Sequence, residues 1–241
     1  MSSPEDPHLS ELVRGASLAF ANAEHLFSEA KILSAHKLFS RALFLHQISL
    51  EECGKTEILG WWATGHLMGI SVDFDKIRSR FRSHKFKNFA NAYMLPLSEA
   101  EQKARDESDW RRENEAFKEQ QAAFHQESND RKNASLYVDL VDNVFLSPSD
   151  SITEDMVHDI ADRNHTFIEL MRPKVEMLRH WEQNPDGTRE LMKGFQQLME
   201  ELKKKHPDDP RKACDTFLAE MLEELKTAQQ GAEGDAINRT P

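Results

Sequence analysis

The chain is poor in cysteine, glycine and proline, and it has no long apolar run. Its two cysteines, Cys53 and Cys214, stand far apart without CxxC or Cys/His spacing, which leaves no thiol metal site and fits a reducing compartment. Nine glycines and nine prolines in 241 residues are few interruptions for a chain of this length. No apolar stretch reaches the roughly 18 to 20 residues that a membrane span needs. The start, Met1 to Pro7, is polar and acidic, unlike a signal peptide, so a cytoplasmic location without membrane contact is expected. G-x-G-x-x-G, Walker A, H-E-x-x-H and G-x-S-x-G patterns are all missing, which removes support for dinucleotide binding, P-loop hydrolysis, zincin chemistry and the hydrolase elbow. A net charge of −11 argues against a general nucleic-acid coat, because nonspecific affinity comes from neutralising phosphates. Any RNA contact has to be local.

What the chain does contain is helix. Charged residues make up 30%, and Leu, Ala, Glu, Lys and Arg dominate. From Leu9 to Leu33 apolar residues recur at three-and-four spacing, with Asp6-Pro7 as N-cap and first helical position. A second helix, about His36 to Met68, is apolar nearly all round and therefore central, and Gly69 ends it. A third runs from Asp73 to Tyr93 with Phe74, Ile77, Phe81, Phe89 and Tyr93 at helical spacing. Ser98-x-x-Glu101 is a capping box opening a long charged helix, Glu99 to Asp130, whose sparse apolar positions imply one narrow seam. Leu136 to Phe145 breaks the helical period with alternating β-branched and aromatic residues, an extended segment or short hairpin over the bundle. Ser151-x-x-Glu154 is a second capping box, before a last bundle helix kinked at Pro173. Asn184-Pro185-Asp186-Gly187 then marks a turn into two short amphipathic helices, Arg189 to Lys205 and Pro210 to Gln229. The expected organisation is an all-α, up-and-down helix bundle over 1–183 with a short extended segment near 136–146, a C-terminal helical hairpin over 184–230 and a disordered tail over 231–241.

Three constellations could carry chemistry. Leu50-Glu51-Glu52-Cys53-Gly54-Lys55 puts two acids and a lysine into an apolar helix, where burial is costly unless the charges pair. Glu51 with Lys55 is an i,i+4 pair and Glu52 with Lys55 an i,i+3 pair, so one reading is an internal salt bridge beside a glycine, the other a polar site in the bundle. The second is the basic cluster Arg78, Arg80, Arg82, Lys85 and Lys87 around His84. Continuing the face of Phe74, Ile77 and Phe81 brings His84 inward, an imidazole beside fixed cations. Metal-independent RNA cleavage needs a group that moves protons and a cation near the phosphate, and histidine with arginine supplies both. The alternative is a solvated charged face around a packed core histidine. The third is the stripe Asp155, His158, Asp162, His165 and Glu169, whose spacing suits a metal but which lies opposite the apolar face and has no matching Glu-x-x-His elsewhere.

Taken in order, Asn22-Ala23, Leu26 and Ala30, Arg41-Ala42-Leu43, Leu50-Glu51-Glu52-Cys53-Gly54-Lys55, Ser83-His84-Lys85-Phe86-Lys87 and Leu136-Tyr137-Val138-Asp139 resemble the AbiV abortive-infection family of the HEPN superfamily, over about residues 8 to 183. The resemblance implies a HEPN helix bundle, an anti-phage role, a homodimer, a regulatory or phage protein as a further partner, and the metal-independent endoribonuclease activity of many HEPN dimers, with no cofactor. It also marks Glu51, Glu52, Lys55, Tyr137 and Asp139 as motif or structural polar positions. Active HEPN nucleases carry an Arg and a His with four to six residues between them near the start of a late bundle helix. Arg163 to His165 is shorter and Arg172 to His180 longer, whereas Arg78 to His84 and Arg41 to His46 match that spacing. The residues expected to act are therefore Arg78 and His84 in catalysis, and Arg80, Arg82, Lys85 and Lys87 on RNA. The alternative from another class is a non-catalytic helical module that binds RNA or protein.

Overall fold

The computed structural model describes residues 6–207 and 212–221. Its first helix, α1 (Pro7–Ala35), begins where expected: the Asp6 carboxylate accepts from the Leu9 N–H at 3.1 Å. A three-residue turn returns the chain as α2 (Phe39–Leu67), and the two lie side by side through most of their length. Lys37, at φ 60°, makes that turn, with the Leu38 N–H bonded to the Leu33 carbonyl and the Lys37 N–H to the Ser34 carbonyl. Gly69, at φ 87°, closes α2 in the same two-bond pattern, through Ile70 to Gly65 and Gly69 to His66.

The expected helix from Asp73 to Tyr93 is two helices, α3 (Phe74–Arg82) and α4 (His84–Asn91), followed by a 3-10 turn, Ala92–Met94. Ser83 divides them: it is extended at ψ 108°, and its hydroxyl accepts the Phe86 N–H, so a new helix starts rather than the old one continuing. The long charged helix is likewise two, α5 (Glu99–Asp106) and α6 (Trp110–Leu136). Ser108 stands at φ 56° between them and Asp109 caps α6 through the Arg112 N–H. The Ser98–Glu101 capping box is present at the start of α5.

After Leu136 comes the hairpin, β1 (Asp139–Val141) paired antiparallel with β2 (Val144–Leu146) through a two-residue turn, Asp142-Asn143, with both φ positive. It stands out from the bundle, and Val138, Leu140, Val144 and Phe145 are exposed. The second capping box sits one turn earlier than expected: Ser147 and Asp150 cap the one-turn α7 (Pro148–Ser151), and Thr153 rather than Ser151 caps α8 (Glu154–Gln183). α8 continues through Pro173, and α9 (Pro185–Lys205) follows. Residues 212–221 are helical again. The remainder of the expected second C-terminal helix and the tail over 231–241 lie outside the described residues.

The core joins α1, α2 and α8. Phe20, Leu43, Leu50 and Cys53 meet Ile160, Phe167, Met171 and Val175 at one end, with Phe124 of α6. At the other end Leu9, Leu12, Leu59 and Leu67 meet Ile77 of α3, Leu178, and Met192 of α9. Asp6 ties that end together: besides capping α1 it bonds His66 of α2 at 2.9 Å and Arg189 of α9. Partial burial alone would raise the Asp6 pKa, but the Leu9 N–H, His66 and Arg189 hold it below the ordinary carboxylate value. Among the described residues no helix is long and apolar enough to cross a membrane.

A polar string crosses the apolar core. The Ser49 hydroxyl donates to the Ala23 carbonyl at 2.7 Å and lies 3.1 Å from Asn164 Oδ1, while the Asn164 amide meets His46 Nδ1 at 3.1 Å. Burial, with Lys31 adding, pushes the His46 pKa down to about 4. An unfolded histidine takes its proton near pH 6.5, so between that pH and about 4 the unfolded chain binds more protons. Stability falls as pH drops through that window, by on the order of 3 kcal/mol over its whole width. His46→Gln removes the titrating ring, and its thermal melts should show a shallower fall than the wild type across the window. Parallel slopes would place the acid sensitivity elsewhere.

Candidate functional site

The middle of α2 is where α4 and α6 cross it. Gly54 allows the approach: a Cβ there would stand 2.6 Å from the Lys87 carbonyl oxygen of α4. Asn91, also on α4, donates to the Leu50 carbonyl at 2.6 Å. Glu51 points into this junction and is 6% exposed. Its carboxylate holds three groups from two other helices: Lys87 Nζ at 2.5 Å, Lys132 Nζ of α6 at 2.8 Å, and His84 Nδ1 at 2.7 Å. Burial would raise the Glu51 pKa, but the Lys132 and Lys87 ammonium groups overcome it and hold the carboxyl below its usual value.

Of the two ion pairs that the spacing allowed within α2, the i,i+3 pair forms. Lys55 bonds Glu52 at 2.5 Å, three residues back, and lies over the Phe81 ring. Glu51 is left free to reach across helices. Cys53, next in sequence, is fully buried, and burial together with Glu52 pushes its thiol up to about 12, so it serves as packing.

The basic cluster divides into an inner and an outer set. Lys87, expected among the phosphate contacts, is buried and spent on Glu51, because α4 starts at His84 and turns position 87 toward α2. His84 does face inward, though through the new helix and not through the face of Phe74, Ile77 and Phe81. Only its Nδ1 edge is engaged, and the side chain remains 53% exposed. Arg78 stays on α3, exposed and paired with Asp75 at 2.6 Å. Arg80 stacks on Phe86 at 4.4 Å and lies over Trp62, while Lys85 lies over Phe89 at 5.2 Å. Arg82 is exposed. Tyr137 and Asp139 lie just before and within β1, exposed, and Asp139 bonds the Leu140 N–H. Neither is among the groups bonded to Glu51.

Two participants escaped the sequence reading. Lys132 was legible in principle, since steps of four, four and three from Phe124 along α6 lead to Ser128, Lys132 and Ser135, all buried. The other is His125, half-buried, whose Nδ1 meets the Asn88 amide of α4 at 3.2 Å and whose ring is edge-on to Phe89. Elsewhere His46 is sealed in the core, Arg163 pairs with Glu127, Arg172 with Glu24 and Glu169, and His165 stacks on Phe27. Among the described residues no group of three or more His, Cys, Asp or Glu side chains could hold a metal ion.

The AbiV family profile, of the HEPN group, matches residues 11–169, which takes in α1, the α2 junction, α4, α6 and the first half of α8. The chain belongs to the AbiV family of HEPN proteins. The matched span carries every residue of the Glu51 cluster and leaves α9 outside. The AbiV-family chain is also 42% identical over 107 residues to the uncharacterized protein y4gJ of Sinorhizobium fredii (strain NBRC 101917 / NGR234). That match covers 44% of this chain and 56% of the relative, so it spans little more than half of the relative's length. No solved structure matches the AbiV-family chain.

Proposed function

We propose that this AbiV-family protein serves abortive-infection defence against phage by cutting RNA without a metal, with His84 as a proton-transfer group. The observation that carries the reading is the half-exposed His84 ring held on a buried carboxylate beside two buried lysines. Two ammonium groups, Lys87 and Lys132, against the one Glu51 carboxylate leave a surplus positive charge at the foot of the ring. Such a surplus in a low-dielectric site attracts an anion, and a phosphodiester approaching His84 would bring one. The carboxylate on Nδ1 fixes the ring so that Nε2 faces outward as the atom that exchanges protons. Arg82 and Lys85 on the rim supply further cations for the RNA backbone, and Arg80 braces Phe86. Arg78, on α3 and engaged by Asp75, is the weaker part of the expected catalytic pair. Action as a homodimer and control by a phage or regulatory protein rest on the family alone, and a cytoplasmic setting rests on the sequence.

The test is incubation of the purified chain with cellular RNA in excess chelator. Cleavage should persist, and His84→Ala should reduce it by at least ~10²-fold while the melting temperature holds. Intact RNA with wild-type protein would favour the same cluster as a structural clamp in an RNA- or protein-binding module.

A further inference from the structure

His84 alone leaves the chemistry half supplied, because breaking an RNA strand moves one proton off the 2′-hydroxyl and another onto the departing 5′-oxygen. We infer that His125 is the second proton-transfer residue of this site, so that α4 and α6 present a two-histidine centre for strand cleavage; the inference rests on the RNA-cleaving reading above.

The two rings lie along one seam. His84 is level with Lys132, since both bond Glu51, and Asn88 is level with His125, to which it bonds. From His84 to Asn88 is one turn of α4, and from Lys132 back to His125 is two turns of α6, about 6 and 10 Å along the respective axes. Both imidazoles are held the same way. Each is anchored at Nδ1 by a buried side chain, Glu51 for His84 and Asn88 for His125, so Nε2 is the working atom of each. The Asn88 nitrogen stands nearest Nδ1, and turning the amide over brings its oxygen there instead, so that Nδ1–H donates to it and Nε2 of the neutral ring keeps its lone pair; Nδ1 then stays bonded when Nε2 takes a proton.

The surroundings divide the roles. The groups around His125 are Lys85 and His84 from α4, Lys132 from its own helix, and Glu51 from α2. Burial first, then Lys85, Lys132 and His84, lower the His125 pKa against the opposing pull of Glu51. A ring kept neutral in this way is suited to be the base. His125 Nε2 takes the proton of the 2′-hydroxyl, and the 2′-oxygen forms its bond to phosphorus. The bond from phosphorus to the 5′-oxygen breaks with its electron pair, and the His84 imidazolium gives that oxygen its Nε2 proton. The products are a 2′,3′-cyclic phosphate and a 5′-hydroxyl, and the rings have exchanged protonation states, which water restores. No metal or further reactant enters the balance. Lys132, bonded to Glu51 at the His84 end of the seam, adds positive charge that favours the negative charge gathering on the phosphorane.

The experiment uses the full chain in chelator with two substrates, an RNA oligomer and a uridine 3′-phosphodiester whose leaving group is p-nitrophenolate. That leaving group departs without protonation, so it spares the acid and not the base. His125→Ala should lose at least ~10²-fold on both substrates and lose the acidic limb of the pH–rate profile. His84→Ala should lose a similar factor on the oligomer and recover most of it on the activated diester. His125→Gln, which keeps a polar group toward Asn88, guards against a folding defect and should behave like the alanine variant. If wild type cleaves, His84→Ala does not, and both His125 variants cleave with the acidic limb intact, the second histidine is overturned while the His84 reading stands. If wild type leaves both substrates whole, the RNA-cleaving reading falls and the two-histidine centre with it.

Discussion

Glu51→Ala is expected to lower the unfolding free energy by about 3 to 5 kcal/mol, because it leaves two lysines in a junction that excludes water. Lys87 and Lys132 are 7% and 10% exposed, and without the carboxylate each must lose its proton, draw in solvent or swing outward. All three responses pull α4 and α6 away from α2. The loss belongs to the unpaired charges more than to the intact network, since a whole buried ion cluster is often replaceable by apolar side chains at little cost. Combining Glu51→Met with Lys87→Met and Lys132→Met should therefore recover most of the stability that the single change removes. Denaturant midpoints at unchanged slope are the measurement. A single variant within about 1 kcal/mol of wild type would mean that water reaches the cluster freely, since solvated ion pairs are worth no more than that. The sign with pH follows from the depressed Glu51 pKa. Its contribution is present above the unfolded carboxyl pKa of about 4.3 and is lost as pH falls through the lower folded value, so the variant's acid limb should be shallower.

Gly54→Ala is the second large effect. In an exposed helix the change would stabilise by roughly 1 kcal/mol through helix propensity. Here the new methyl meets the Lys87 carbonyl oxygen at 2.6 Å and its carbon at 3.1 Å, and a backbone group cannot rotate aside. One helix must shift, at a cost of about 2 to 3 kcal/mol net, at the upper end of overpacking effects. The shift also carries Lys87 and His84 off Glu51, so RNA cleavage should fall along with the melting temperature. A stable, fully active Gly54→Ala chain would show that the helices can part at this point without consequence.

Most of the architecture was legible because its signals are local. Asp6-Pro7 and the Ser98–Glu101 box mark helix starts by chemistry within one turn, Gly69 marks an end, and the break in period at Leu136 locates the hairpin. The missed breaks lie where an ordinary residue does an unusual thing. Ser108 adopts a positive φ that glycine would have announced, and Ser83 ends one helix and caps the next with a single hydroxyl. The site was legible in its parts and not in its connections. Glu51, His84 and the basic run stood out as odd residues, but helical spacing favours partners three or four positions away. The partners that matter, His84, Lys87 and Lys132, lie 33 to 81 residues distant. Lys55, the local candidate, was taken by Glu52 instead. His125 carried no signal at all beside Phe124, because one histidine in a polar helix has no period to break.

The carboxylate of Asp6 has a consequence for how the chain reaches this arrangement. It bonds His66, 60 residues away, and Arg189, 183 residues away. The pairing of α1 with α2 needs only a three-residue turn, so its closure entropy is small and it is suited to form early. The bond from Asp6 to α9 spans most of the described chain and closes a loop of 183 residues. The expected order of assembly has the α1–α2 hairpin forming first, α4, α6 and α8 condensing on it, and the contact of Asp6 with α9 coming last, as a step with much loop entropy to lose; folding kinetics of an Arg189→Ala variant that slowed refolding as much as they sped unfolding would put that contact early.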